Sequence, residues 1–302
     1  MYLDLDTFRT LSAIVEEGSF AKAAERLNRS QSAVSYKIKQ LEQFLGAPVF
    51  DRSSYRATLT ESGEAIHREG LKLLRQMRHI EHLAQQHQTG WEPRLDLIID
   101  GALSMTPVLR ALKAFEDQRV PTAIQLHVEH LHGVQQRFEK SPAAIMLTKE
   151  YTPLDDCDSE PLPPVRNLLV TATDHPLAGM KEITRQQLQQ YAELTVRDSA
   201  QRIQSASVTG TPLFGGERVY FLSDFQQKRQ ALRMGLGFGW APQYLIKKEL
   251  EAGELLSIDY KEGNQFEFVP VMVWHTAQQA GRGSALLLEL LRQEFQSLKT
   301  TG

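Results

Sequence analysis

Cysteine is nearly absent from this 302-residue chain, which contains a single one, Cys157. One thiol cannot build an internal disulfide framework, so the chain is not a disulfide-rich secreted scaffold, and we expect a reducing compartment. The first ten residues carry acids and no apolar segment, so no secretory signal is predicted. Because no apolar run approaches the roughly 18 residues that a membrane span needs, we expect a cytoplasmic protein with no membrane partner.

The chain also lacks a marked excess of charge of either sign. It has 34 Lys and Arg against 37 Asp and Glu, a formal net charge of −3. Bulk charge therefore does not predict a polyanionic partner, and an argument for nucleic acid must rest on where the charges lie. The length exceeds what one hydrophobic core usually supports and predicts two or three domains.

Recognisable catalytic and cofactor motifs are missing as well. There is no phosphate-cradling glycine loop, nucleophile elbow or metalloprotease motif. The segment "HVEHLH" holds His127, Glu129, His130 and His132, but a strand would divide them between two faces, whereas a metal needs three or four converging ligands. Cys157 lies among carboxylates, which oppose thiolate formation. We therefore predict no catalytic residue, no cofactor, no metal site and no redox switch.

Three predicted helices open the chain. Helix 1 follows Asp4 as its N-cap and ends at Gly18, helix 2 follows Ser19, and helix 3 follows Ser30. On helix 3 the apolar residues recur every three or four positions and are expected to be buried: Val34, Ile38, Leu41 and Leu45. Two short helices joined by a tight turn describe a helix-turn-helix, whose second helix lies in the major groove of DNA.

The opposite face of helix 3 carries short or planar hydrogen-bonding side chains. We predict that five of them contact DNA: Gln31, Ser32, Ser35, Tyr36 and Lys39. Gln31 can pair with adenine N6 and N7, the serines can bond a base edge or a phosphate, and Lys39 suits phosphate or guanine. The alternative is an ordinary three-helix bundle with a solvated polar face.

A β-wing is predicted after helix 3, from two extended pieces at 48–51 and 56–59. It would place Arg52 at its tip and Arg56 at its base, where an arginine could enter a minor groove or clamp a phosphate. A solvated surface charge is the alternative for each arginine, and it is the favoured interpretation of Arg56.

A long helix is predicted from about residue 61 to 88, capped by Thr60. A heptad seam along it is predicted to pair with a second copy of the chain through Ile66, Leu73, Met77 and Ile80. A lone helix of this length with an exposed seam would be marginal in water. We therefore expect a homodimer or homotetramer, and a dimer reads two half-sites roughly 34 Å or a multiple apart.

Four pieces of the first 64 residues follow one another in a fixed order: "EEGSFAKAAERL", "SQSAVS", "I-x-x-LE-x-x-LG-x-x-VF-x-R" and "LTESG". Together they resemble the winged helix-turn-helix of LysR-type transcriptional regulators. The resemblance implies groove-reading roles for Gln31, Ser32, Ser35 and Tyr36, and a DNA contact for Arg52. The family usually has arginine where this chain has Tyr36, a departure that removes a bidentate contact to guanine or phosphate.

Strands alternate with helices from about residue 95 onward, which predicts a mostly parallel α/β sheet. The pattern restarts at "VRNLLVTAT", and the last strand, "EFVPVMVWH", is expected to return with the helix 284–298 to the first lobe. Crossings near Pro164 and Glu267 would leave a ligand cleft between two lobes. "DHPLA" and "ALRMGLGFGWAP" resemble the LysR effector domain, whose fold is similar to that of periplasmic solute-binding proteins.

The same resemblance implies seven effector contacts, carried over by position: Ser104, Thr106, Glu129, Thr148, Arg197, Ser223 and Asp224. Ser104 and Thr106 lie at the start of a predicted helix, where hydroxyls and free N–H groups favour an anion or carboxylate. The alternative for Ser104 is a simple N-cap. Because Ala144 stands where the family has an acid, we do not transfer ligand chemistry from relatives.

The predicted class is α/β, with an all-α winged helix-turn-helix at 1–60, a linker and dimerisation helix with its hinge at 61–94, and a two-lobed effector-binding domain of periplasmic-binding-protein type at 95–302. Within that domain, lobe I is expected to combine two segments and lobe II to form from one: 95–164 with 268–302, and 165–267. The predicted function is a transcriptional regulator that binds double-stranded DNA under the control of a small-molecule effector, with no enzyme activity. The alternatives are a solute-binding or transport component, and an enzyme built on the cleft.

Overall fold

The chain divides into two compact units, Met1–Ala84 and Gln85–Gly302. The computed structural model describes residues 3–51, 57–89, 91–141, 143–200, 213–276 and 281–299. None of the described helices combines the length and the apolarity that crossing a bilayer requires.

The first unit contains helices followed by a short antiparallel hairpin and a long helix. In chain order these elements are α1 Leu5–Glu17, α2 Phe20–Arg26, α3 Gln31–Leu45, β1 Phe50–Asp51, β2 Thr58–Leu59 and α4 Glu61–Thr89. The extended pieces of the wing are shorter than expected.

Helix boundaries in the first unit follow the predicted caps. Asp4 accepts a hydrogen bond from the backbone N–H of Thr7 at 2.7 Å, and Ser30 accepts one from Ala33 at 3.2 Å. Side-chain oxygens at these positions satisfy N–H groups that have no partner inside the helix. Ser19 holds the cap position of α2 without a side-chain hydrogen bond.

The core of the first unit uses the apolar stripe of α3. Val34, Ile38 and Leu41 are buried there against α1 and α2. Leu45, which was also expected to be buried, is 37% exposed. It is the last residue of α3, because Gly46 takes the left-handed conformation with φ 69° and ends the helix.

The second unit consists of two α/β lobes. Its elements follow in this order: β3 Arg94–Asp100, α5 Met105–Asp117, β4 Ala123–Glu129, α6 His132–Lys140, β5 Ala144–Thr148, β6 Cys157–Pro161, β7 Val165–Ala172, a 3₁₀ turn Pro176–Gly179, α7 Arg185–Leu188, β8 Glu193–Val196, β9 Val219–Leu222, α8 Phe225–Arg233, β10 Phe238–Pro242, α9 Gln243–Glu251, β11 Leu255–Ser257, β12 Gln265–Phe268, β13 Val271–His275 and α10 Arg282–Lys299.

Both sheets are mixed, whereas the alternation of strands and helices predicted a mostly parallel arrangement. The first sheet has the order β4-β3-β5-β13-β6, in which β3, β4 and β5 are parallel and β13 runs antiparallel to both neighbours. The second has the order β11-β7-β10-β8-β9, with β12 also on β7. There β8 is parallel to β9 and β10, and β7 is antiparallel to its partners.

The chain passes between the two sheets twice, after β6 and after β12. The prediction of one continuous strand "EFVPVMVWH" is wrong, because β12 pairs with β7 and β13 pairs with β5. Pro270 lies between them, and a proline cannot donate to a strand ladder. Its carbonyl instead accepts a hydrogen bond from Leu162 at 2.8 Å, at the other crossing.

The near-continuous apolar run of β3 reflects burial on both faces of its sheet. Leu97 and Ile99 pack with Val108 of α5 and Leu291 of α10, whereas Ile98 packs into a separate cluster on the other face. Parallel strands covered on both faces end at one common edge of the sheet, and this geometry places the end of β3 beside the cavity described below.

Candidate nucleic-acid interface and ligand cavity

The five residues of α3 that were predicted to contact DNA lie on its solvent-exposed surface. We call this set the α3 polar face: Gln31, Ser32, Ser35, Tyr36 and Lys39. The apolar stripe of α3 is buried on the other side of the helix, so packing of the core fixes which way the polar face points. Tyr36 is 63% exposed, far above what a core tyrosine would be.

The cations nearest the polar face are held by acids at the start of α1. Arg29 donates two hydrogen bonds to the Asp6 carboxylate, at 2.8 and 2.9 Å, and Lys37 also contacts Asp6. The Arg29 hydrogen bond is the largest cause that holds the pKa of Asp6 below its usual value. Lys39, by contrast, makes no ion pair with any described residue, so its charge is available to a partner.

Contacts of the wing with α3 and α4 explain two of the sequence motifs. Glu42, the acid of the "LE" pair, accepts from the N–H groups of Val49 and Phe50 at 2.9 and 3.3 Å. Gly63 of "LTESG" lies so close to the wing that a Cβ there would sit 2.0 Å from the Val49 carbonyl oxygen. The Gly63 N–H donates to the side chain of Thr60 at 3.0 Å. Both residues belong to the sequence motifs, but the motifs alone did not predict these contacts.

Two predicted DNA contacts, Arg52 and Arg56, lie outside the described residues, so their roles stay predictions. The strands that flank them, β1 and β2, pair as Phe50 with Leu59 and Asp51 with Thr58.

The four predicted dimerisation residues of α4 divide into two pairs. Ile66 packs against the core of the first unit, and the sulfur of Met77 lies 4.0 Å from Arg9. Leu73 and Ile80, seven positions apart, are 49% and 59% exposed. The predicted pairing surface therefore retains two large apolar side chains that the described part of one chain leaves open.

A cavity of about 50 Å³ lies between the two lobes of the second unit. It is lined by polar, charged and aromatic side chains together with a few aliphatic ones: Asp100, Ala102, His130, Leu131, Lys149, Asn167, Glu193, Leu194, Thr195, Val196, Leu213, Phe225, Lys228, Trp240 and Phe268. Both lobes contribute, and several of these residues come directly after a strand, as ligand sites of α/β folds usually do.

Each lobe brings one acid and one lysine to the cavity. Lobe I supplies Asp100 and Lys149, and lobe II supplies Glu193 and Lys228. Burial raises the pKa of Asp100 to about 6 and lowers the pKa of Lys228 to about 8. Burial also raises the pKa of Glu193 above its usual value. With these pKa values, Asp100 and Lys228 are both mostly ionised at neutral pH, although burial destabilises the charged form of each.

Three polar atoms at the cavity are buried without a hydrogen-bond partner among the described residues. These atoms are Oδ2 of Asp100, Nδ1 of His130 and Nδ2 of Asn167. The other Asp100 oxygen accepts from the N–H of Ala102 at 2.8 Å. Buried polar groups are nearly always paired in folded proteins, so these atoms favour a ligand that supplies both a donor and an acceptor.

Aromatic rings form part of the wall and hold the lysines. The ammonium group of Lys149 lies 5.3 Å from the centre of the Phe268 ring, and that of Lys228 lies 5.8 Å from the Phe225 ring. A cation over the face of a ring is attracted by its quadrupole. The rings therefore help to keep two ammonium groups in a site from which water is largely excluded.

The seven predicted effector residues do not line this cavity. Four of them are sequence neighbours of residues that do: Glu129 precedes His130, Thr148 precedes Lys149, Arg197 follows Val196, and Asp224 precedes Phe225. Successive side chains near a strand end point in different directions, so an error of one position moves a side chain off the site. The sequence therefore predicted strand ends that lie beside the cavity, and side chains that are one position away from its lining.

These four residues have other contacts or face solvent. Glu129 binds Arg137 at 2.5 Å, and the Thr148 hydroxyl donates to the Glu150 carbonyl at 2.8 Å. Arg197 is exposed. Asp224 caps α8 by accepting from the N–H of Gln227 at 2.7 Å.

The remaining three predicted effector residues lie at helix starts. Ser104 occupies the cap position of α5 without forming a side-chain cap hydrogen bond, and Thr106 is exposed in the first turn. Ser223 is exposed before α8. A sequence signal did exist for one lining residue, because Lys228 lies one helical turn before the buried Leu232 and therefore on the buried side of α8.

The histidines of "HVEHLH" contact different carboxylates or line the cavity. His127 lies 3.8 Å from Asp96, while His132 lies 2.9 Å from Asp198 across the two lobes. His130 lines the cavity, and burial lowers its pKa below the usual value, so that it is neutral at physiological pH.

Hydrogen bonds next to the cavity join the lobes. Ser199 accepts from the His130 N–H at 2.9 Å and donates to the His130 carbonyl at 3.1 Å, while Asp198 accepts from the Gly133 N–H at 3.2 Å. A Cβ on Gly133 would lie 1.9 Å from the Ser199 hydroxyl, so this approach requires glycine. The Tyr244 hydroxyl donates to the Ala102 carbonyl at 3.1 Å.

Comparison with known proteins assigns the class. The family model described as "Bacterial regulatory helix-turn-helix protein, lysR family" matches residues 5–64, and the "LysR substrate binding domain" matches residues 88–296. The chain therefore belongs to the LysR family of transcriptional regulators. It combines a DNA-binding helix-turn-helix with an effector-binding domain, and it is a regulator and not an enzyme. The predicted family, fold class and general function are confirmed.

Individual relatives span nearly the whole chain. The transcriptional regulator YeeY of Escherichia coli K12 is 29% identical over 283 residues, 93% of this chain and 90% of the relative. The transcriptional activator AllS of Salmonella typhimurium is 27% identical and covers 84% of this chain and 83% of its own. Full-length LysG from Corynebacterium glutamicum, solved with bound effector Arg, aligns with a TM-score of 0.56 at 20% identity, over 98% of this chain and 99% of that one. At that identity the likeness concerns the fold.

Proposed function

We propose that the α3 polar face reads base edges in the major groove and that Lys39 contacts a phosphate or guanine beside them. Support comes from the exposure of all five side chains and from their chemistry, which matches base edges better than it matches water alone. Ser30 caps α3 and leaves the first-turn N–H groups at the same end as Gln31 and Ser32, a favourable position for a phosphate. We place this activity in the cytoplasm, because a regulator must reach chromosomal DNA.

A salt titration tests the phosphate contact. The protein is titrated into a duplex from the DNA upstream of its own gene and into an unrelated duplex, at several salt concentrations. Removing one phosphate contact lowers the slope of log K against log salt by about one unit, so Lys39→Ala should show that change. Lys22→Ala, an exposed lysine on α2, is the matched control and should leave the slope unchanged. An unchanged slope in Lys39→Ala contradicts the contact.

We also propose that Leu73 and Ile80 pair with a second copy of the chain, in a homodimer that can assemble further into a homotetramer. The two side chains lie one heptad apart on α4, and their exposure leaves an apolar seam in water. Sedimentation equilibrium tests this arrangement. The double variant Leu73→Lys with Ile80→Lys should sediment as a smaller species than the wild type, and an unchanged mass would contradict the seam.

For the cavity we propose a small effector that carries a carboxylate and, close to it, a hydroxyl or ammonium donor. Lys228 is a buried cation that makes no direct hydrogen bond with the described residues, and the Asn167 amide supplies a second unused donor. Together they suit a carboxylate. Oδ2 of Asp100 is an unused acceptor on the opposite lobe and suits the donor. The volume of about 50 Å³ restricts the effector to a small molecule.

The regulatory mechanism follows from linkage. A ligand that contacts Asp100 on one lobe and Lys228 on the other binds best to one arrangement of the lobes, and it shifts the population toward that arrangement. By reciprocity, a DNA-bound state that favours the same arrangement binds the ligand more tightly. The ligand can shift the equilibrium between the two arrangements only by the difference between its binding free energies for them.

A ligand panel tests the effector class. Small α-hydroxy acids and α-amino acids are compared by calorimetry with their amides, which lack the carboxylate, and with simple alkyl acids, which lack the donor. The proposal expects heat only from compounds with both groups. Binding of an amide as tightly as the matching acid would contradict the role of Lys228. DNA footprints with and without the best compound then show whether binding alters the contacts of the regulator.

A further inference from the structure

A second cluster of polar side chains lies outside the cavity, at the edge of the first sheet. Cys157 on β6 and His275 on β13 are directly opposite each other in the antiparallel pair. The Cys157 sulfur lies 3.3 Å from Nδ1 of His275. Asp156, the residue before β6, brings its carboxylate to both, 3.8 Å from the sulfur and 3.7 Å from Nδ1.

We propose that Cys157, His275 and Asp156 form a binding site for Zn²⁺ or a similar borderline-soft divalent cation. A sulfur, an imidazole nitrogen and a carboxylate oxygen are the three donor types that zinc uses, and a solvent molecule would supply the fourth ligand. The three ligand atoms lie within 4.8 Å of one another. The group belongs to neither the α3 polar face nor the ligand cavity.

The distances fit a tetrahedral ion. With ordinary bond lengths, a tetrahedral zinc separates sulfur from nitrogen by about 3.6 Å, nitrogen from oxygen by about 3.4 Å and sulfur from oxygen by about 3.6 Å. The observed separations of 3.3, 3.7 and 3.8 Å each lie close to these values. The two carboxylate distances involve different oxygens of Asp156, so a small rotation of that exposed side chain is enough to bring one oxygen to the ion.

The scaffold holds two of the ligands in place. His275 is 93% buried, since its exposed fraction is 7%, and its ring stacks on Phe138 with centres 4.4 Å apart and an angle of 7°. Paired strands fix Cys157 beside it, and the N–H of Thr276 donates to the Asp156 carbonyl at 2.9 Å. A site whose ligands are already held loses little conformational freedom on binding a metal.

The surrounding charge also favours a cation. Asp155 and Asp158 flank the site in sequence, so four consecutive residues carry three carboxylates around one thiol. These acids oppose a bare thiolate, but a bound divalent cation reverses the local charge and stabilises it. On binding, the S–H bond breaks, the metal–sulfur bond forms and the proton passes to solvent, so binding weakens as pH falls.

Cobalt is the probe for the test, because a thiolate bound to Co²⁺ gives an intense charge-transfer band in the near ultraviolet. The full-length protein with any affinity tag removed is titrated with Co²⁺ and then with Zn²⁺. Since Cys157 is the single cysteine of the chain, the band can come from no other residue. We expect a band that saturates at one Co²⁺ per chain and disappears when Zn²⁺ is added.

Variants assign the other ligands. Cys157→Ser should abolish the band, and His275→Gln and Asp156→Asn should each weaken Co²⁺ binding by at least about tenfold, since loss of even an outer partner commonly costs that much. Asp158→Asn and His127→Gln are the matched controls and should bind as the wild type does. Asp156 is exposed, so its variant reports on the site even if the buried His275→Gln variant fails to fold.

Alkylation of the thiol gives a second readout. Zn²⁺ should slow the reaction of Cys157 with iodoacetamide in the wild type and not in Asp156→Asn. The absence of a cobalt band, or a band of equal strength in Asp156→Asn and the wild type, would overturn the proposal. Either result would leave the thiol and imidazole as a plain hydrogen-bonded pair.

Discussion

The α3 polar face and the ligand cavity differ in the exposure and the charge of their side chains. On α3, the prospective contacts are exposed and mostly uncharged, and the nearby cations Arg29 and Lys37 are bound to Asp6. In the cavity, the prospective contacts are buried and charged, and burial shifts the pKa values of Asp100 and Lys228 toward neutrality. Under the proposed function, the first surface chooses among bases and the second holds a charged group.

The difference follows from what surrounds each site. In water, a charge is screened, and its attraction to DNA phosphates hardly distinguishes one base sequence from another. The DNA sequence must therefore be read by hydrogen bonds to base edges. In a cavity from which water is excluded, one unit charge acts strongly at short range, and a mispaired charge is costly. Substitutions should therefore have graded effects on α3 and large effects in the cavity.

The largest effect is expected at Lys228. Truncating one partner of a buried charge pair typically costs about 2–5 kcal/mol, so Lys228→Met should lower affinity for the proposed carboxylate effector by roughly thirtyfold or more. Lys247→Met, on the exposed side of α9 in the same lobe, is the matched control and should bind normally. Calorimetry with the best compound of the panel measures both. Equal affinities of the two variants would contradict the role of the buried Lys228 charge.

A smaller effect, on the stability of the first unit, is expected where the wing meets α4. Gly63→Ala forces a Cβ against the Val49 carbonyl, and overpacking of this kind costs about 1–3 kcal/mol of stability. Gly179→Ala has open space around the added Cβ and serves as the control. Urea unfolding followed by circular dichroism should show a lower stability of the first unit in Gly63→Ala. Unfolding of both variants at the wild-type midpoint would contradict the close approach.

Effector affinity should depend on pH in a bell shape with limbs near 6 and 8. The effector carboxylate needs Lys228 protonated, so affinity falls as pH rises through the Lys228 pKa of about 8. The effector donor needs Asp100 ionised, so affinity falls as pH drops through the Asp100 pKa of about 6. Each limb approaches tenfold per pH unit. In Asp100→Asn the acid limb should vanish, and a profile that keeps it would remove Asp100 from the site.

The smallest effect is expected at the ion pairs beside α3. Asp6→Asn breaks solvent-screened surface pairs that contribute little to stability, so the melting temperature should fall by only a few degrees. The same change frees Arg29 and leaves Lys37 with its longer pair to Asp4 at 3.4 Å, so it should steepen the salt dependence of binding to unrelated DNA. Glu17→Gln, which loosens an exposed pair with Arg26, is the control and should leave that dependence unchanged. A flatter slope in Asp6→Asn would contradict the neutralisation of these cations.

Sequence patterns predicted the helix limits of the first unit well, because local rules decide where those helices begin and end. The 3.6-residue period separates the faces of α3, and Asp4 and Ser30 bond to N–H groups three residues away. The same rules failed at Leu45, where burial depends on how far α3 extends over its neighbours, which is a tertiary property.

The cavity could not be predicted to the residue because it depends on long-range register. Glu129, Thr148 and Asp224 are each one position from a lining residue, and no local rule fixes which side chain of a strand end or helix cap turns inward. The division of "EFVPVMVWH" into β12 and β13 was missed for a similar reason. Both halves have strand composition, and only pairing with β7 and β5 separates them.

The central claim is that the α3 polar face recognises bases, and Gln31 tests it most directly. Binding of the wild type, Gln31→Ala and Gln43→Ala is measured by fluorescence anisotropy on the upstream duplex and on an unrelated duplex, at one salt concentration. Gln43 is an exposed glutamine near the other end of α3 and supplies the matched control.

The claim predicts that Gln31→Ala lowers affinity for the upstream duplex by about 1–3 kcal/mol and leaves affinity for the unrelated duplex unchanged, while Gln43→Ala alters neither. Equal losses on the two duplexes, or no loss on either, would contradict it.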